Sequence, residues 1–188
     1  MIYLIRHGLD DERFIGGWSN THLTPEGVKQ SVNARNFIVN KGLVINNILS
    51  SDITRAKETA DIINTKLEVP TFYSDHLREQ NKGILNGVSK DIVEEYYSEY
   101  VNSKSIYKRF PEGESLSDLY HRVLYYIDEI LAKDKSLIVT HRGVINMLYY
   151  ILNDIKLDCN KERFNVTHAS IHELDTSLMK IKRIYWLK

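Results

Sequence analysis

Short apolar runs that end on polar chemistry alternate along this chain with longer amphipathic stretches. Ile2 to Ile5 has the length and composition of a buried strand, and it stops abruptly at Arg6-His7-Gly8. Thr24-Pro25-Glu26 then reads as a helix start: Thr24 caps, Pro25 fits the first turn, and Glu26 complements the dipole. That helix is predicted to run to about Asn40, where Lys41-Gly42 ends it. A second strand is predicted over Val44 to Ser50. A helix over Thr54 to Lys66 follows, with Ala56, Thr59, Ala60 and Ile63 on one face, and then a short strand after Pro70.

Farther along, Lys90 to Val101 is expected to be helical. Ser115 to Ala132 reads as one long helix, with Leu116, Leu119, Val123, Ile127 and Ile130 at the helical period. SLIVT (Ser136 to Thr140) is a continuous apolar strand, Val144 to Leu152 a buried helix, and Ala169 to Leu174 and Ile181 to Leu187 are closing strands. Strands alternating with helices of this length predict an α/β fold: a three-layer sandwich with a central, mostly parallel sheet flanked by helices. Three prolines and nine glycines leave no linker, so residues 1–188 are expected to form one domain. Residues 80–114, the least sheet-like stretch, are expected to be an insertion over the active site.

Composition narrows the function. Lys plus Arg and Asp plus Glu both total 25, so the chain lacks the footprint of a general nucleic-acid or membrane-surface binder. The single cysteine, Cys159, excludes an internal disulfide and a multi-cysteine zinc site, and is expected to be a bystander. Without a signal-peptide core or a long apolar run, a cytoplasmic location is expected.

The chemistry gathers at strand ends. The first strand delivers Arg6-His7-Gly8, the second leads to Arg55 in the first turn of a helix, and SLIVT delivers His141-Arg142-Gly143. In a parallel sheet these ends share one edge. Arginine cannot shed its charge and helix N-termini add partial positive charge, so the cluster calls for an anion, most naturally a phosphoryl group. One neutral imidazole can attack phosphorus while another stabilises the equatorial oxygens; the residue pattern does not say which histidine does which. Glu79, in Leu77-Arg78-Glu79-Gln80, offers a proton for the leaving alcohol if a bound dianion raises its pKa.

LIRHG, SSDITRAKETA, LREQNKGILNG, PEGES and VTHRGVI, in this order and spacing, resemble the histidine phosphatase superfamily, also called phosphoglycerate mutase-like. The resemblance covers nearly the whole chain. It implies that His7 is the phosphorylated nucleophile, that Arg6, Arg55 and His141 form the phosphate pocket, and that Glu79 is the proton donor. No metal or other cofactor is expected. The family's continuation of R-H-G, with Glu-Thr or Glu-Ser and a later asparagine, is here Leu9-Asp10-Asp11-Glu12-Arg13. Arg13 is a candidate replacement for that asparagine, and Gly8, Gly16 and Gly17 are candidate substrate contacts. Arg142 stands where a small residue is commoner, and is a candidate for gripping a second anionic group. His168 stands where the family often has asparagine, and is expected to have a structural or peripheral role. His172 is expected at the surface.

The short segment after the Glu79 motif resembles the phosphatase branch. The expected function is therefore hydrolysis of a small phosphomonoester through phospho-His7. A bisphosphoglycerate-dependent mutase and a catalytically idle phosphate-binding module are the alternatives. The expected partner is a small phosphorylated metabolite, with no nucleic acid or membrane, in a monomer or an edge-paired homodimer.

Overall fold

The computed structural model describes residues 1–186. Six strands form one sheet: β1 (Ile2–Arg6), β2 (Asn47–Ser51), β3 (Thr71–Ser74), β4 (Ser136–Thr140), β5 (Ile171–Asp175) and β6 (Lys180–Tyr185), in the spatial order β3-β2-β4-β1-β5-β6. β1 pairs in parallel with β4, β4 with β2, and β2 with β3. β5 is antiparallel to β1, and β6 to β5, so the expected mostly parallel α/β sheet carries an antiparallel edge.

Helices cover both faces. α1 (Pro25–Asn40) and α2 (Thr54–Leu67) bury Ala34, Ile38, Ala56, Ala60 and Ile63 with Tyr3 and Ile5 of β1 and Leu137 and Val139 of β4. The alternate residues of the same strands, Leu4 and Ile138, face the other core. Leu119 and Val123 of α5 (Leu116–Tyr125) lie there with Val144, Ile145 and Leu148 of α7 (Arg142–Leu152). Alternation along fully buried strands thus feeds two cores from one sheet.

Between β3 and α5 lie α3 (Lys90–Tyr96) and α4 (Ser98–Val101), which pack with Leu85 and Phe110 around a small cluster of their own. The helix expected over 90–101 is interrupted at Tyr97, and the one expected over 115–132 divides at Tyr126 into α5 and α6 (Ile127–Leu131). At Tyr126 the backbone leaves the helical region (φ −99°, ψ 8°). Side-chain periodicity continues across such a break, which is why the pattern does not register it. α7 begins at Arg142, two residues earlier than the apolar pattern suggests. β2 begins at Asn47, three residues later than expected, and β5 at Ile171 rather than Ala169. Leu187, placed in the last strand by the sequence pattern, lies outside the described residues.

His172 is not at the surface. It is fully buried on β5, with Nδ1 paired to the Tyr149 hydroxyl and Nε2 to Ser170 Oγ, each at 2.9 Å. Two polar partners satisfy both ring nitrogens, which makes a core histidine tolerable. Among the described residues no helix is long and apolar enough to cross a membrane.

Candidate active site

The carboxyl ends of β1, β2 and β4 bring His7, Arg55 and His141 together. His7 is buried, and its Nδ1–H donates to the Gly8 carbonyl at 2.7 Å. A carbonyl can only accept, so this contact fixes the tautomer and leaves the lone pair on Nε2. Arg55 enters from the first turn of α2, is almost wholly buried, and directs Nε to His7 Nε2 at 3.2 Å. Its Nη2 donates to the Gly17 carbonyl at 2.7 Å and points to His141 Nδ1 at 3.4 Å. His141 pairs through Nε2 with Ser51 Oγ at 2.9 Å, and the two imidazole centroids stand 5.0 Å apart.

Arg6 completes the cationic floor. Nη1 donates to the Val166 carbonyl at 2.9 Å, Nη2 to His168 Nε2, and the buried Nε has no partner. A buried N–H without an acceptor costs free energy unless a ligand supplies one. Burial, reinforced by Arg142, lowers Arg6 to about 10. Burial, then Arg55 and His141, lowers His7 well below the ordinary imidazole value. Burial and Arg55 do the same to His141. The pocket therefore combines two guanidinium groups with two imidazoles whose protonated forms burial and the arginines disfavour, the Glu79 carboxylate opposing them at His141.

Glu79 lies on the loop after β3, against the N-terminus of α7. Oε2 accepts from Gly143 N at 3.1 Å and Oε1 from Gln80 N at 2.9 Å. A Cβ on Gly143 would lie 2.0 Å from Glu79 Oε1, so glycine is what lets the carboxylate reach the helix end. Burial pushes this carboxyl up, but His141, the two amide N–H groups and Lys82 outweigh it and hold it down to about 2. Glu79 is thus ionised before substrate arrives; the raised pKa expected of it requires the bound dianion.

The Glu79 loop is fixed by residues the sequence reading did not single out. Arg122, on α5, donates to the carbonyls of His76, Arg78 and Glu79 at 2.9, 3.0 and 3.1 Å. Its remaining fork holds Glu114 at 2.8 and 3.0 Å, and Glu114 Oε2 also accepts from Asn81 N at 2.8 Å. PEGES therefore supplies the carboxylate that locks this clamp.

Asp10 was also missed, because a residue in the acidic run Asp10-Asp11-Glu12 reads as solvated. It is buried, accepts from Thr21 Oγ1 at 3.0 Å, and lies 3.4 Å from Arg55 Nε. Ligand atoms of His7, Asp10 and His168 lie within 4.8 Å of one another, a spacing that invites a metal. However, His7 Nε2 already receives an N–H from Arg55, and His168 Nε2 one from Arg6. A cation would have to displace two guanidinium groups, whereas an anion is attracted by both.

Two expectations need correction, and a third, the structural or peripheral role of His168, resolves to the structural one. Arg13 is exposed and pairs with Asp11 at 2.6 Å, so it does not replace the missing asparagine. Gly8 is not a substrate contact: its N–H goes to Thr59 Oγ1 at 3.1 Å, and a Cβ there would lie 2.4 Å from the Gly27 carbonyl. His168 is not peripheral: it holds Arg6 and lies edge-on to His7 at 5.6 Å. Its burial beside Arg6 lowers it to about 3, so it serves Arg6 as a neutral acceptor.

Gly16, Gly17 and Arg142 do line the cavity above His7, which has a volume of about 300 Å³. Gly17 takes a left-handed conformation (φ +54°) that presents its carbonyl to Arg55. Phe110 and Lys82 reach the same cavity from the 80–114 segment, and Cys159, read as a bystander, forms part of its wall.

The chain matches the family model of the histidine phosphatase superfamily (branch 1) over residues 2–184, and it belongs to that family. It is 30% identical over 169 residues, 82% of each chain, to a protein of Rhodopseudomonas palustris named 2,3-bisphosphoglycerate-dependent phosphoglycerate mutase. Its fold superimposes on a mycobacterial glucosyl-3-phosphoglycerate phosphatase solved with vanadate (TM-score 0.81, 21% identity, 98% and 97% of the two chains). It also superimposes on Bacillus stearothermophilus YhfR (TM-score 0.80, 25% identity, 93% and 91%).

Proposed function

We propose that this histidine phosphatase superfamily member hydrolyses a small phosphomonoester through a phosphohistidine on His7. The observation that carries the reading is the disposition of His7 Nε2. It is fixed as the lone-pair nitrogen by the Gly8 carbonyl and faces Nε of buried Arg55 at 3.2 Å, while the adjacent Arg6 keeps a buried N–H unpartnered. A phosphoryl group on Arg6, Arg55 and His141 places phosphorus before that lone pair.

In the first step the Nε2–P bond forms as the ester P–O bond breaks, and the departing oxygen takes a proton from the Glu79 carboxyl. In the second step Glu79 accepts a proton from water, the water oxygen attacks phosphorus, and the N–P bond breaks to free His7 and inorganic phosphate. Because Glu79 is held down to about 2 in the unliganded protein, its proton arrives with the substrate. A phosphomonoester loses its second proton near about pH 6. The monoanion therefore carries one proton to hand to Glu79.

Asp10 favours hydrolysis over mutase chemistry. A mutase must retain its phosphoenzyme until transfer, whereas a buried carboxylate within 4.8 Å of a His7 ring nitrogen repels the bound phosphoryl group and promotes phosphate departure. The resemblance to mutases keeps phosphoryl transfer to a second alcohol as the competing reading. A panel of phosphomonoesters, with and without 2,3-bisphosphoglycerate, separates the two. Primer-independent phosphate release is expected; isomerisation that requires the primer would establish the mutase instead.

A further inference from the structure

The cavity extends from the phosphate pocket to a second polar wall, built from the start of α7 and residues 158–161. Arg142 and Asn146 are one helical turn apart and share a face of α7. Both tie the following loop down, Arg142 through Glu162 and Asn146 through its Nδ2, which donates to the Lys161 carbonyl at 2.9 Å. That contact fixes the amide orientation, because a carbonyl cannot accept from Oδ1. Asn146 Oδ1 is then a buried acceptor without a partner, on a residue only 4% exposed that lines the cavity.

Arg142 is paired with Glu162, but the lysine charge on this wall is unmatched. Among the described residues Lys161 has no carboxylate at ion-pair distance, and neither has Lys82, whose ammonium lies over the Phe110 ring at 4.2 Å. Burial, then Lys161, brings Lys82 down to about 7. Arg142 in turn is the charge that most lowers Arg6 after burial, which places it next to the phosphate pocket.

We infer that this wall is a second recognition subsite, where Arg142 and Lys161 hold an anionic group on the leaving alcohol and Asn146 Oδ1 accepts from a hydroxyl beside it. The substrate class is a hydroxylated phosphomonoester with a second oxyanion, either a carboxylate or another phosphoryl group. This rests on the phosphomonoesterase reading of the same site.

Non-hydrolysable phosphonates test it without turnover. Calorimetry compares n-propylphosphonate with ω-carboxyalkylphosphonates and α,ω-alkanediphosphonates of two to four methylenes, on the wild type and on Lys161→Met and Arg142→Met. The best doubly anionic ligand should bind roughly tenfold or more tightly than n-propylphosphonate, and each variant should erase most of that advantage. Whichever arm binds tighter, carboxylate or diphosphonate, names the second group. A hydroxyl next to that group should add about threefold for the wild type. Asn146→Leu, if folded, should lose that increment, and the wild-type comparison stands without it. Equal affinity for singly and doubly anionic ligands would overturn the inference, as would variants that weaken n-propylphosphonate as much as the others. Failure of the phosphatase reading would show separately, as no phosphate release from any ester.

Discussion

Removing the charge of Asp10 should strengthen phosphate binding. A carboxylate inside an anion pocket works against its ligand, and this one has an oxygen within 4.8 Å of a His7 ring nitrogen. At a separation of about 5 Å and an effective dielectric of about 20, each unit charge on a bound phosphate is opposed by about 3 kcal/mol. Asp10→Asn removes that opposition while keeping a side-chain oxygen for Thr21 Oγ1, which donates to Asp10 at 3.0 Å. The assay is competitive inhibition by inorganic phosphate at pH 7, with kcat measured in parallel. The inhibition constant should tighten by at least fivefold, and kcat should fall as phosphate leaves more slowly. An unchanged or weaker inhibition constant in a folded variant would refute the reasoning and make Asp10 a support for Arg55 only.

The proton accounting predicts a kcat/KM profile that is flat below about pH 6, since burial keeps His7 neutral well below its ordinary pKa. The profile should fall by about tenfold per unit above the substrate's second ionisation near about pH 6; a profile rising through that range would contradict it. Burial and Arg183 hold His172 at about 3, so below the ordinary value of 6.5 the unfolded chain binds a proton that the native state refuses. Stability is thus full above about pH 6.5 and lost as pH falls toward about 3, by about 2 kcal/mol at pH 5 from this residue alone. Urea titrations should show His172→Gln losing correspondingly less between pH 8 and pH 5, and identical slopes would rule the account out. Arg122→Lys removes the fork that serves three loop carbonyls and Glu114. As a positioning change it should lower kcat at least tenfold with little change in KM; a loss confined to KM would mean that Arg122 does not act through Glu79.

The sheet and the five central side chains are legible because each apolar run ends where its chemistry begins. Parallel strands ending in Arg6-His7, Ser51 and His141 must share an edge, whatever the loops do. What stays hidden is set by partners far away in sequence. Asp10 belongs to the pocket because Arg55 lies beside it, and His168 because Arg6 reaches it across 162 positions. Arg122 sits on an amphipathic helix like any solvated arginine until the Glu79 loop folds over it. Arg13 shows the reverse: its charge fits a phosphate contact, but Asp11, two residues away, takes it first. The breaks at Tyr97 and Tyr126 interrupt helices without disturbing their apolar spacing, so periodicity does not reveal them.

The central claim is that phosphorus passes through His7 Nε2. Rapid quenching of the wild type with a radiolabelled phosphomonoester, followed by mass spectrometry, tests it most directly. The account predicts an acid-labile, base-stable phosphoryl adduct on His7 that forms and decays at turnover rates and disappears in His7→Ala together with phosphate release. Phosphate release that persists in His7→Ala, or label on a different residue, would contradict it.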